Sequence, residues 1–517
     1  MIYIVGAGPG DPGLLTIRAQ ACLQRADVVV HDTQIPRGIL AHARPGAELI
    51  DVGHASGDDT AQAAVSYLLA DKAREGKMVV RLKWGDPFVF ERAAEEALFL
   101  HEQGVRYEVV PGVPAAIAVP TYAGVPLTYP GGGDTITLVR GYENENRSLP
   151  EIDWRSIGKL DGTVVCYLTA LQLPHVLDAL VSHGWSPDTP AVFVHDGTLP
   201  SQETHAGTIA ALREAVAQNG RRGAGMLIVG RVVGFRQHLR WFDTRPLFGK
   251  RVLVTRPREQ AAELNELLEA LGAEPVDAPM IRIAPPDDPA PLQRAASEPE
   301  AYDWIIFASG NAVEAFMAAL LRGNHDVRAL KGPLLCAVGS GTADKLSQYG
   351  IKVDLVPDEF RAEAVVAALA PRGSLNGAKV LLPRADIGRE VIADALRERG
   401  AVVTEVVAYR TVLDESQRDA EPDVYGMLLQ GKIDVVTFTS ASAVRNFAKV
   451  YGEEQAPDLL RNAVVATIGP VTTEAATQLG IKVTIQPQTY TIASMVDAIA
   501  AHYAATGHRD TETQRTL

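Results

Sequence analysis

Short apolar runs alternate with longer segments of mixed polarity along the whole chain. Runs such as MIYIVGAG, ADVVVHD, MVVRLK and YEVVPG are rich in β-branched residues and almost continuously apolar. This pattern is typical of parallel strands that are buried on both faces of a sheet. The segments between the runs place apolar residues at helical spacing. The pattern therefore predicts an α/β fold.

The pattern restarts near residues 240–257, where RWFDTRPLFGKRVLVTRP joins two units. GMLIVGRVV closes the first unit, and KRVLVTRP opens the second with a new strand. A chain of 517 residues is too long for one hydrophobic core. We expect one domain over 1–245 and another over 249–505. The polar segment 506–517 is predicted to be a disordered tail.

The second unit contains an internal repeat. GKRVLVTRP, YDWIIFASGNAVEAF and AVGSGTADKLSQYGIKV return in the same order as GAKVLLPRA, IDVVTFTSASAVRNF and TIGPVTTEAATQLGIKV. The repeat predicts two similar α/β lobes. In both copies a strand ends in Ser or Gly-x-x-Thr and a helix follows. Backbone N–H groups and hydroxyls therefore lie together at the helix N-terminus. Such positions can bind anions. Two facing lobes would clamp a ligand with several carboxylates or phosphates.

The first strand leads into the glycine loop VGAGPGDPG. Residues 8–13 fit the G-x-G-x-x-G spacing, and Asp32 follows about twenty residues later, as in a dinucleotide-binding fingerprint. Pro9, however, removes an N–H group that a pyrophosphate would use. A dinucleotide, an adenosyl ligand and a plain strand-to-helix turn are all compatible with this spacing.

Composition and charge restrict the classes of function. A net charge of −14 argues against nonspecific binding of nucleic acid, and no apolar run is long enough to span a membrane. The N-terminal MIYIVGAG lacks the basic start of a signal peptide. We therefore expect a cytoplasmic protein with no metal site and no membrane or nucleic-acid partner. The cysteines lie far apart in apolar segments, which predicts buried free thiols at Cys22, Cys166 and Cys336.

Two sets of motifs carry a resemblance to known families. VGAGPGDPGLLTIRA, ADVVVHD, VVRLKWGDPFVF, VVPGVPAAIAVPTYAGVPLT and GTLPSQ, taken in order, resemble uroporphyrinogen-III C-methyltransferase, a tetrapyrrole methylase. LVTRP, FASGNAVEAF, AVGSGTA, VLLPRA, VVAYRT, FTSASAV and IGPVTTEAA resemble uroporphyrinogen-III synthase. The resemblance implies a bifunctional enzyme on the siroheme, cobalamin or heme route. The second unit would cyclise hydroxymethylbilane to uroporphyrinogen III, and the first would methylate that product toward precorrin-2.

For the first unit, the resemblance implies two α/β subdomains with S-adenosylmethionine in the cleft between them, and a homodimer. Asp32 matches the family's proposed proton acceptor, and His54 stands at the position of its proton donor. Arg81 matches a functionally placed arginine that could meet a substrate carboxylate. Alternatively, Asp32 is a turn or cap residue and Arg81 a surface charge. The implied cofactor contacts are Pro9, Asp11, Trp84, Gly85, Asp86, Val89, Pro114, Ala115, Leu168 and Gly197.

Several of these positions depart from the family pattern. Trp84 stands where the family has glycine, His54 where it has lysine, Pro114 where it has threonine and Leu168 where it has methionine. Glycine in the turn would let the backbone approach a ligand closely, whereas an indole could stack on the ligand or fill the site. The first unit is therefore either a methylase with altered substrate geometry or one that has lost activity.

For the second unit, the resemblance implies a largely conformational ring closure that needs no cofactor. Tyr409 matches a tyrosine thought to assist loss of the substrate hydroxyl, and Thr472 matches a cleft threonine. Arg256 and Arg384 are equivalent in the repeat and could bind carboxylates. The expected substrate contacts are Arg256, Ser309, Asn311, Thr342, Arg384 and Ser440. The polar residues could instead cap helices, and Tyr409 could be an ordinary packing residue.

Two other functions remain open. The first is an active synthase fused to a methylase-like unit whose activity is altered or lost. The second is a nicotinamide-dependent oxidoreductase that uses the glycine loop over residues 8–13. Titration with S-adenosylhomocysteine and with NAD would distinguish these alternatives.

Overall fold

The computed structural model describes residues 1–53, 59–132, 134–141, 152–219, 223–323, 325–357, 362–386, 391–413 and 423–506. His54 and residues 507–517 of the expected tail lie outside these ranges. The described part of the chain contains no helix that is long and apolar enough to cross a membrane. Alternating strands and helices fill these ranges, which confirms the predicted α/β class.

The chain folds as two compact units. The first comprises Met1–Lys250 with Leu268–Glu274 and the end of the last helix from Ala500. The second comprises Arg251–Leu267 and Pro275–Ile499. The expected junction between residues 245 and 249 lies close to this division, and the exact domain limits stay a prediction.

The first sheet of the first unit is parallel, as its apolar strands predicted. Its strands are β1 (Ile2–Gly6), β2 (Val28–His31), β3 (Glu48–Asp51), β4 (Val79–Lys83) and β5 (Tyr107–Val110), in the order β3-β2-β4-β1-β5. The helices of this region are α1 (Ile17–Leu23), α2 (Arg37–Leu40), α3 (Asp59–Arg74), α4 (Ala93–Glu102) and α5 (Ala115–Tyr122). Separate apolar clusters cover the two faces, so the carboxyl ends of the strands share one edge where a ligand can bind.

The second sheet of the first unit is mixed. Its strands are β6 (Thr135–Arg140), β7 (Gly162–Thr169), β8 (Pro190–His195), β9 (Glu203–Thr208) and β10 (Ala224–Val229). The order is β6-β7-β10-β8-β9, and only the β6–β7 pair is parallel among these neighbours. The remaining helices of the first unit are α6 (Trp154–Ile157), α7 (Leu173–Ser182), α8 (Ile209–Asn219) and α9 (Arg236–Leu239).

The second unit contains two further sheets. Its strands are β11 (Arg251–Val254), β12 (Glu274–Asp277), β13 (Ile281–Ala284), β14 (Trp304–Phe307), β15 (Leu334–Ala337), β16 (Lys379–Ala385), β17 (Val402–Leu413), β18 (Val435–Phe438) and β19 (Val464–Thr467). Its helices are α10 (Arg258–Ala270), α11 (Ala290–Ser297), α12 (Gly310–Arg322), α13 (Ser340–Gln348), α14 (Ala362–Leu369), α15 (Val391–Glu398), α16 (Val424–Leu429), α17 (Ala441–Tyr451), α18 (Ala456–Leu459), α19 (Pro470–Gln478) and α20 (Ile492–Thr506), of which α20 ends in the first unit.

The two lobes of the second unit are built on equivalent sheets, as the repeat predicted. One sheet has the order β12-β11-β18-β19, and the other contains the equivalent run β17-β16-β14-β15 with β13 added at its edge. The repeats, however, are exchanged between the lobes. Strand β11 from the first repeat pairs with β18 from the second, and β16 from the second pairs with β14 from the first. Each lobe therefore needs both copies of the repeat.

The three cysteines are free and buried, as predicted. Burial raises the pKa of the Cys166 and Cys336 thiols to about 12, and it also raises the pKa of Cys22. These thiols are therefore protonated near neutral pH and act as small apolar core residues.

Candidate functional site

Three loops meet at the carboxyl edge of the first sheet. Gly8 and Gly85 exchange backbone hydrogen bonds, with N···O distances of 3.1 Å and 2.8 Å. Gly85 has a φ of 60°, in the left-handed region that favours glycine. A Cβ atom on Gly112 would lie 2.1 Å from the Gly85 carbonyl oxygen. Glycine is therefore required for the loops after β1, β4 and β5 to approach one another, and their backbones form the floor of a candidate ligand site.

The acidic residues of these loops hold the loops in shape. Asp86 Oδ1 accepts from Phe88 N at 2.9 Å, and its Oδ2 accepts from Gly112 N at 3.1 Å. Asp11 Oδ1 accepts from Gly13 N at 2.7 Å, and its Oδ2 accepts from the Tyr122 hydroxyl at 2.6 Å. Both carboxylates are therefore engaged within the protein, and their expected role as direct cofactor ligands stays a prediction.

The glycine loop is also joined to the segment that follows β8. The Thr198 hydroxyl donates to the Pro9 carbonyl oxygen at 3.1 Å and accepts from Asp11 N at 3.2 Å. Thr198 is buried and has a φ of 75°, a strained conformation for a β-branched residue. A Cβ atom on the adjacent Gly197 would lie 2.5 Å from the Val119 side chain. This close packing fixes the glycine loop between the two subdomains.

Trp84 lies on the turn after β4, but its indole is partly buried. It packs against the apolar cluster on the α1 and α2 side of the first sheet, which includes Val5, Leu23 and Leu82. The indole is therefore a packing residue at the border of the site, and its remaining exposed surface is what a ligand could contact.

An aromatic pair lies close to the turn after β4 and to the start of α5. Phe90 follows Val89, has a φ of 61°, and places its ring 5.3 Å from the ring of Tyr167 at an interplanar angle of 77°. The Tyr167 hydroxyl accepts from Ala116 N at 2.9 Å in the first turn of α5. Pro114 and Ala115 begin this helix. The expected contacts from residues 89, 114 and 115 thus lie beside an aromatic pair that the sequence did not predict, and one member of this pair, Phe90, has a strained backbone.

Leu168 does not present its side chain to this region. Its side chain is 1% exposed and lies in the core between the second sheet and helices α7 and α8. Neighbouring residues of a strand point to opposite faces, and Tyr167 packs against the cluster that contains Ala115 and Ala116. A cofactor at this site would meet Leu168 through its backbone at the strand end, and the expected cofactor contact of Leu168 stays a prediction.

Asp32 lies directly after β2 and is paired with Arg81. The Asp32 Oδ1 to Arg81 Nη2 distance is 2.6 Å, and Arg81 Nε lies 3.2 Å from Glu96 Oε1. Arg81 Nη1 reaches the backbone carbonyls of Val30 and Leu82. Burial alone would lower the pKa of Arg81, but the charges of Glu96 and Asp32 outweigh it and raise that pKa.

Arg81 is therefore neither a surface charge nor a free substrate ligand. Its side chain has no exposed surface, and each guanidinium nitrogen already has a protein acceptor. The expected contact with a substrate carboxylate is not supported, because that contact would require breaking a buried ion pair.

In the second unit, Tyr409 and Ser309 lie in the same lobe and come together. Their hydroxyl oxygens are 3.1 Å apart. Ser309 also caps α12, because its Oγ accepts from Ala312 N at 3.2 Å. Ser440 caps α17 in the equivalent way, accepting from Ala443 N at 3.1 Å. Both serines therefore serve as helix caps, and Ser309 additionally orients the hydroxyl of Tyr409.

The two equivalent arginines have different surroundings. Arg384 Nε lies 2.7 Å from Glu405 Oε2, so its charge is already neutralised. Arg256 Nη1 is buried with no hydrogen-bond partner in the described part of the chain. Burial lowers the pKa of Arg256, and the charge of Glu263 opposes this effect. The expected carboxylate binding therefore has geometric support at Arg256 and not at Arg384.

The remaining candidates occupy helix N-termini. Thr342 in α13 and Thr472 in α19 are both buried. These two helices begin after Gly339 and Gly469, and no side chain in the described ranges caps them. Asn311 Oδ1 accepts from Gln260 Nε2 at 2.6 Å, which links the two lobes. Uncapped N–H groups of this kind can bind anions.

Comparisons with known proteins can be set against this geometry. A family model described as tetrapyrrole (corrin/porphyrin) methylases matches residues 1–213, and one described as uroporphyrinogen-III synthase HemD matches residues 262–497. A porphyrin biosynthesis protein HemD of Ruminiclostridium josui is 33% identical over 500 residues, which cover 96% of this chain and 97% of that protein. The chain belongs to this porphyrin biosynthesis family. Its two units are a tetrapyrrole methylase unit and a uroporphyrinogen-III synthase unit.

Other relatives resemble parts of the chain. A uroporphyrinogen-III C-methyltransferase of Bacillus subtilis strain 168 is 32% identical over 370 residues, covering 71% of this chain and 75% of that protein. A solved uroporphyrin-III C-methyltransferase of Thermus thermophilus, complexed with S-adenyl homocysteine, is 35% identical. The match covers 45% of this chain and 98% of the solved chain, with a TM-score of 0.39.

The sequence singled out Asp32, but not Glu96, the second carboxylate that pairs with Arg81, nor the neighbouring Lys83. Glu96 is completely buried, and Lys83 is nearly so. One sequence signal was present: Arg81 and Lys83 stand two apart on an otherwise apolar strand, so they share one face. Two cations on a strand buried on both faces require buried carboxylates nearby.

Proposed function

We propose that the protein makes uroporphyrinogen III from hydroxymethylbilane in its synthase unit and methylates this product in its methylase unit. The observation that carries the methylase part is the position of Asp32. This carboxylate lies at the carboxyl edge of the first sheet, where the loops after β1, β4 and β5 also meet. S-adenosylmethionine would supply the methyl group to a pyrrole carbon that already carries a side chain, and Asp32 would take the proton that the methylated macrocycle then loses from another position.

The glycine loop suits an adenosyl ligand better than a dinucleotide. Pro9 offers no N–H group to a pyrophosphate, and the N–H group of Asp11 already donates to Thr198. The Asp11 carboxylate would also repel a pyrophosphate. The backbone of Gly8 and Gly85 provides a surface without charged side chains. These features support S-adenosylmethionine and weigh against the nicotinamide-dependent alternative.

In the synthase unit, anion-binding groups and one placed hydroxyl support ring closure. The hydroxymethylbilane substrate carries several carboxylates, for which Arg256 Nη1 and the uncapped starts of α13 and α19 are suitable partners. Tyr409, oriented by Ser309, would assist departure of the hydroxyl group. The protein then holds the chain for closure at the inverted pyrrole, with no cofactor.

Incubation with hydroxymethylbilane, with and without S-adenosylmethionine, tests both parts of this proposal. Without the methyl donor, we expect uroporphyrinogen III. With it, mass analysis should show products heavier by one CH2 for each methyl group transferred, because each transfer is balanced by loss of a proton. Ring closure without methylation would support the alternative of an active synthase fused to a methylase-like unit with altered or lost activity. Tight binding of NAD in a parallel titration would support the oxidoreductase alternative.

We also propose that the domains are independent along the chain. A chain that begins at Phe248 should fold alone and keep ring closure, because the described strands of both lobes lie after that residue. Circular dichroism and the rate of uroporphyrinogen III formation would check this expectation. An insoluble or inactive product would count against two independent units.

The full chain is proposed to be a cytoplasmic homodimer that associates through its methylase unit.

Trp84 offers a spectroscopic test of the adenosyl site. Binding of S-adenosylhomocysteine should change the emission of the wild-type protein and change it much less in a Trp84→Gly variant. A contact between the exposed part of the indole and the ligand is worth on the order of 1 kcal/mol, so the variant should bind several-fold more weakly. Titration calorimetry would give both affinities.

Two other results would be informative about Trp84. Binding that appears only in Trp84→Gly would show that the indole fills the site. Equal affinities without a spectral change would show that the indole only packs against the core. Trp304→Phe in the synthase unit is a matched control, because that tryptophan is a buried core residue.

A further inference from the structure

A cluster of charged side chains is buried beneath the carboxyl edge of the first sheet. Arg81 lies at its centre, between Asp32 on one side and Glu96 on the other. The Arg81 and Glu96 side chains have no exposed surface, whereas the Asp32 side chain is 9% exposed. Asp32 is therefore the point at which this end of the cluster reaches the candidate site.

Glu96 gathers donors from two elements. It accepts from Arg81 Nε on β4, and from Gln62 Nε2 on α3 at 2.9 Å. Lys83 Nζ, also on β4, lies 3.6 Å from Glu96 Oε1 and 3.2 Å from Glu91 Oε2. Glu96, on α4, thus ties both cations of β4 to the two helices that cover this face of the sheet.

Stability alone does not account for this arrangement. Burying ions costs several kcal/mol each, and replacing a buried ion pair with apolar residues of similar volume is often neutral or stabilising. The surroundings are suitable for such a replacement, because the same face of the sheet packs Ile4, Val30 and Leu69 into an apolar core. The charges sit next to the one carboxylate that the proposed reaction uses.

We propose that Glu96 is a positioning residue for methyl transfer, which acts on Asp32 through Arg81. This inference rests on the proposed function, in which Asp32 accepts the proton. Arg81 stays protonated and does not relay a proton. Because the guanidinium is planar and rigid, fixing its Nε side against Glu96 aims its Nη2 at Asp32. Glu96 thereby holds the Asp32 carboxylate in one orientation toward the proton that the substrate loses.

Glu96→Gln tests this role, because it removes the charge and keeps the shape. We expect a 10- to 100-fold fall in kcat for methylation, the range typical of lost supporting contacts. The KM for uroporphyrinogen III and the affinity for S-adenosylhomocysteine should change less than twofold. Glu108→Gln is the matched control, since it removes one carboxylate from an exposed pair with Arg18 in the same subdomain. That variant should match the wild type.

A double variant, Arg81→Met with Glu96→Leu, separates positioning from folding. It should keep the melting temperature within a few degrees and lose at least as much kcat as Glu96→Gln. Wild-type kcat in either folded variant would overturn the inference. A matching loss of kcat and S-adenosylhomocysteine affinity would do so as well, because it would indicate a structural role.

Crystal structures provide a test that does not depend on activity. In Glu96→Gln, the Arg81–Asp32 contact of 2.6 Å should lengthen beyond hydrogen-bonding distance or adopt several orientations. An unchanged contact would refute positioning by Glu96, whether or not the wild type methylates. Absence of methylation by the wild type would refute the proposed function, and the crystallographic result would still decide the role of Glu96.

Discussion

An Asp32→Asn variant should methylate uroporphyrinogen III about 10²- to 10⁴-fold more slowly than the wild type. An amide cannot accept the proton that the methylated macrocycle loses, and this range is typical of a lost general base. Asparagine has nearly the same shape, so binding of S-adenosylhomocysteine should persist. Single-turnover rates and titration calorimetry would measure the two effects separately.

Asp51→Asn is the appropriate control for this experiment. Asp51 ends the neighbouring strand β3, at the same edge of the sheet, and its carboxylate accepts from Thr33 Oγ1 and Gly53 N. These bonds lower the pKa of Asp51, but no step of the proposed reaction uses this carboxylate. A rate loss shared equally by both variants would show a general disturbance of the edge and would remove Asp32 from the chemistry.

A Tyr409→Phe variant should form uroporphyrinogen III roughly 10²-fold more slowly, at the lower end of the range for general acid assistance. The variant loses only the hydroxyl that contacts Ser309 Oγ at 3.1 Å, so the free energy of unfolding should fall by about 1 kcal/mol or less. A larger share of the type I isomer, formed without inversion of the last pyrrole, should accompany the lower rate. Isomer analysis by chromatography would check this.

Tyr302→Phe is matched to Tyr409→Phe. Tyr302 packs against the same apolar cluster, which includes Phe307 and Phe316. The Tyr302→Phe variant should therefore have the wild-type rate and isomer ratio. Ser309→Ala removes both the helix cap and the contact with Tyr409, so it should cost about 1 kcal/mol of stability and also slow ring closure. A wild-type rate in Tyr409→Phe would leave Tyr409 as a packing residue of its lobe.

The sequence predicted the elements better than their partners. Runs such as MVVRLK and YEVVPG are apolar because both faces of the first sheet are covered. Burial on both faces is therefore directly visible in the sequence pattern. The exchange of repeats between the lobes, by contrast, is not visible in the sequence pattern. The apolar faces of β11 and β16 are alike, so periodicity cannot show that β11 pairs with β18.

The candidate site shows the same limit at single residues. Asp32, Gly85 and Tyr409 were predicted from motifs, because strand ends and turns constrain residue type. The Glu405 partner of Arg384 and the face occupied by Leu168 depend on packing between segments that are distant in sequence. Charge counting in a buried strand would have predicted carboxylates near Arg81, but not that Glu96 supplies one.

The exchange of repeats also determines the order in which the synthase unit can mature on the ribosome. Strands β13 to β17 form a continuous stretch of chain and can pair as soon as they emerge. Strand β11 must wait for β18, since Arg251 N and its acceptor Asp434 Oδ2 are 183 residues apart. At about 5 to 20 residues per second, this delay is on the order of 10 to 40 s. During that time one edge of β11 is unpaired, and an unpaired strand edge is a template for pairing with other chains.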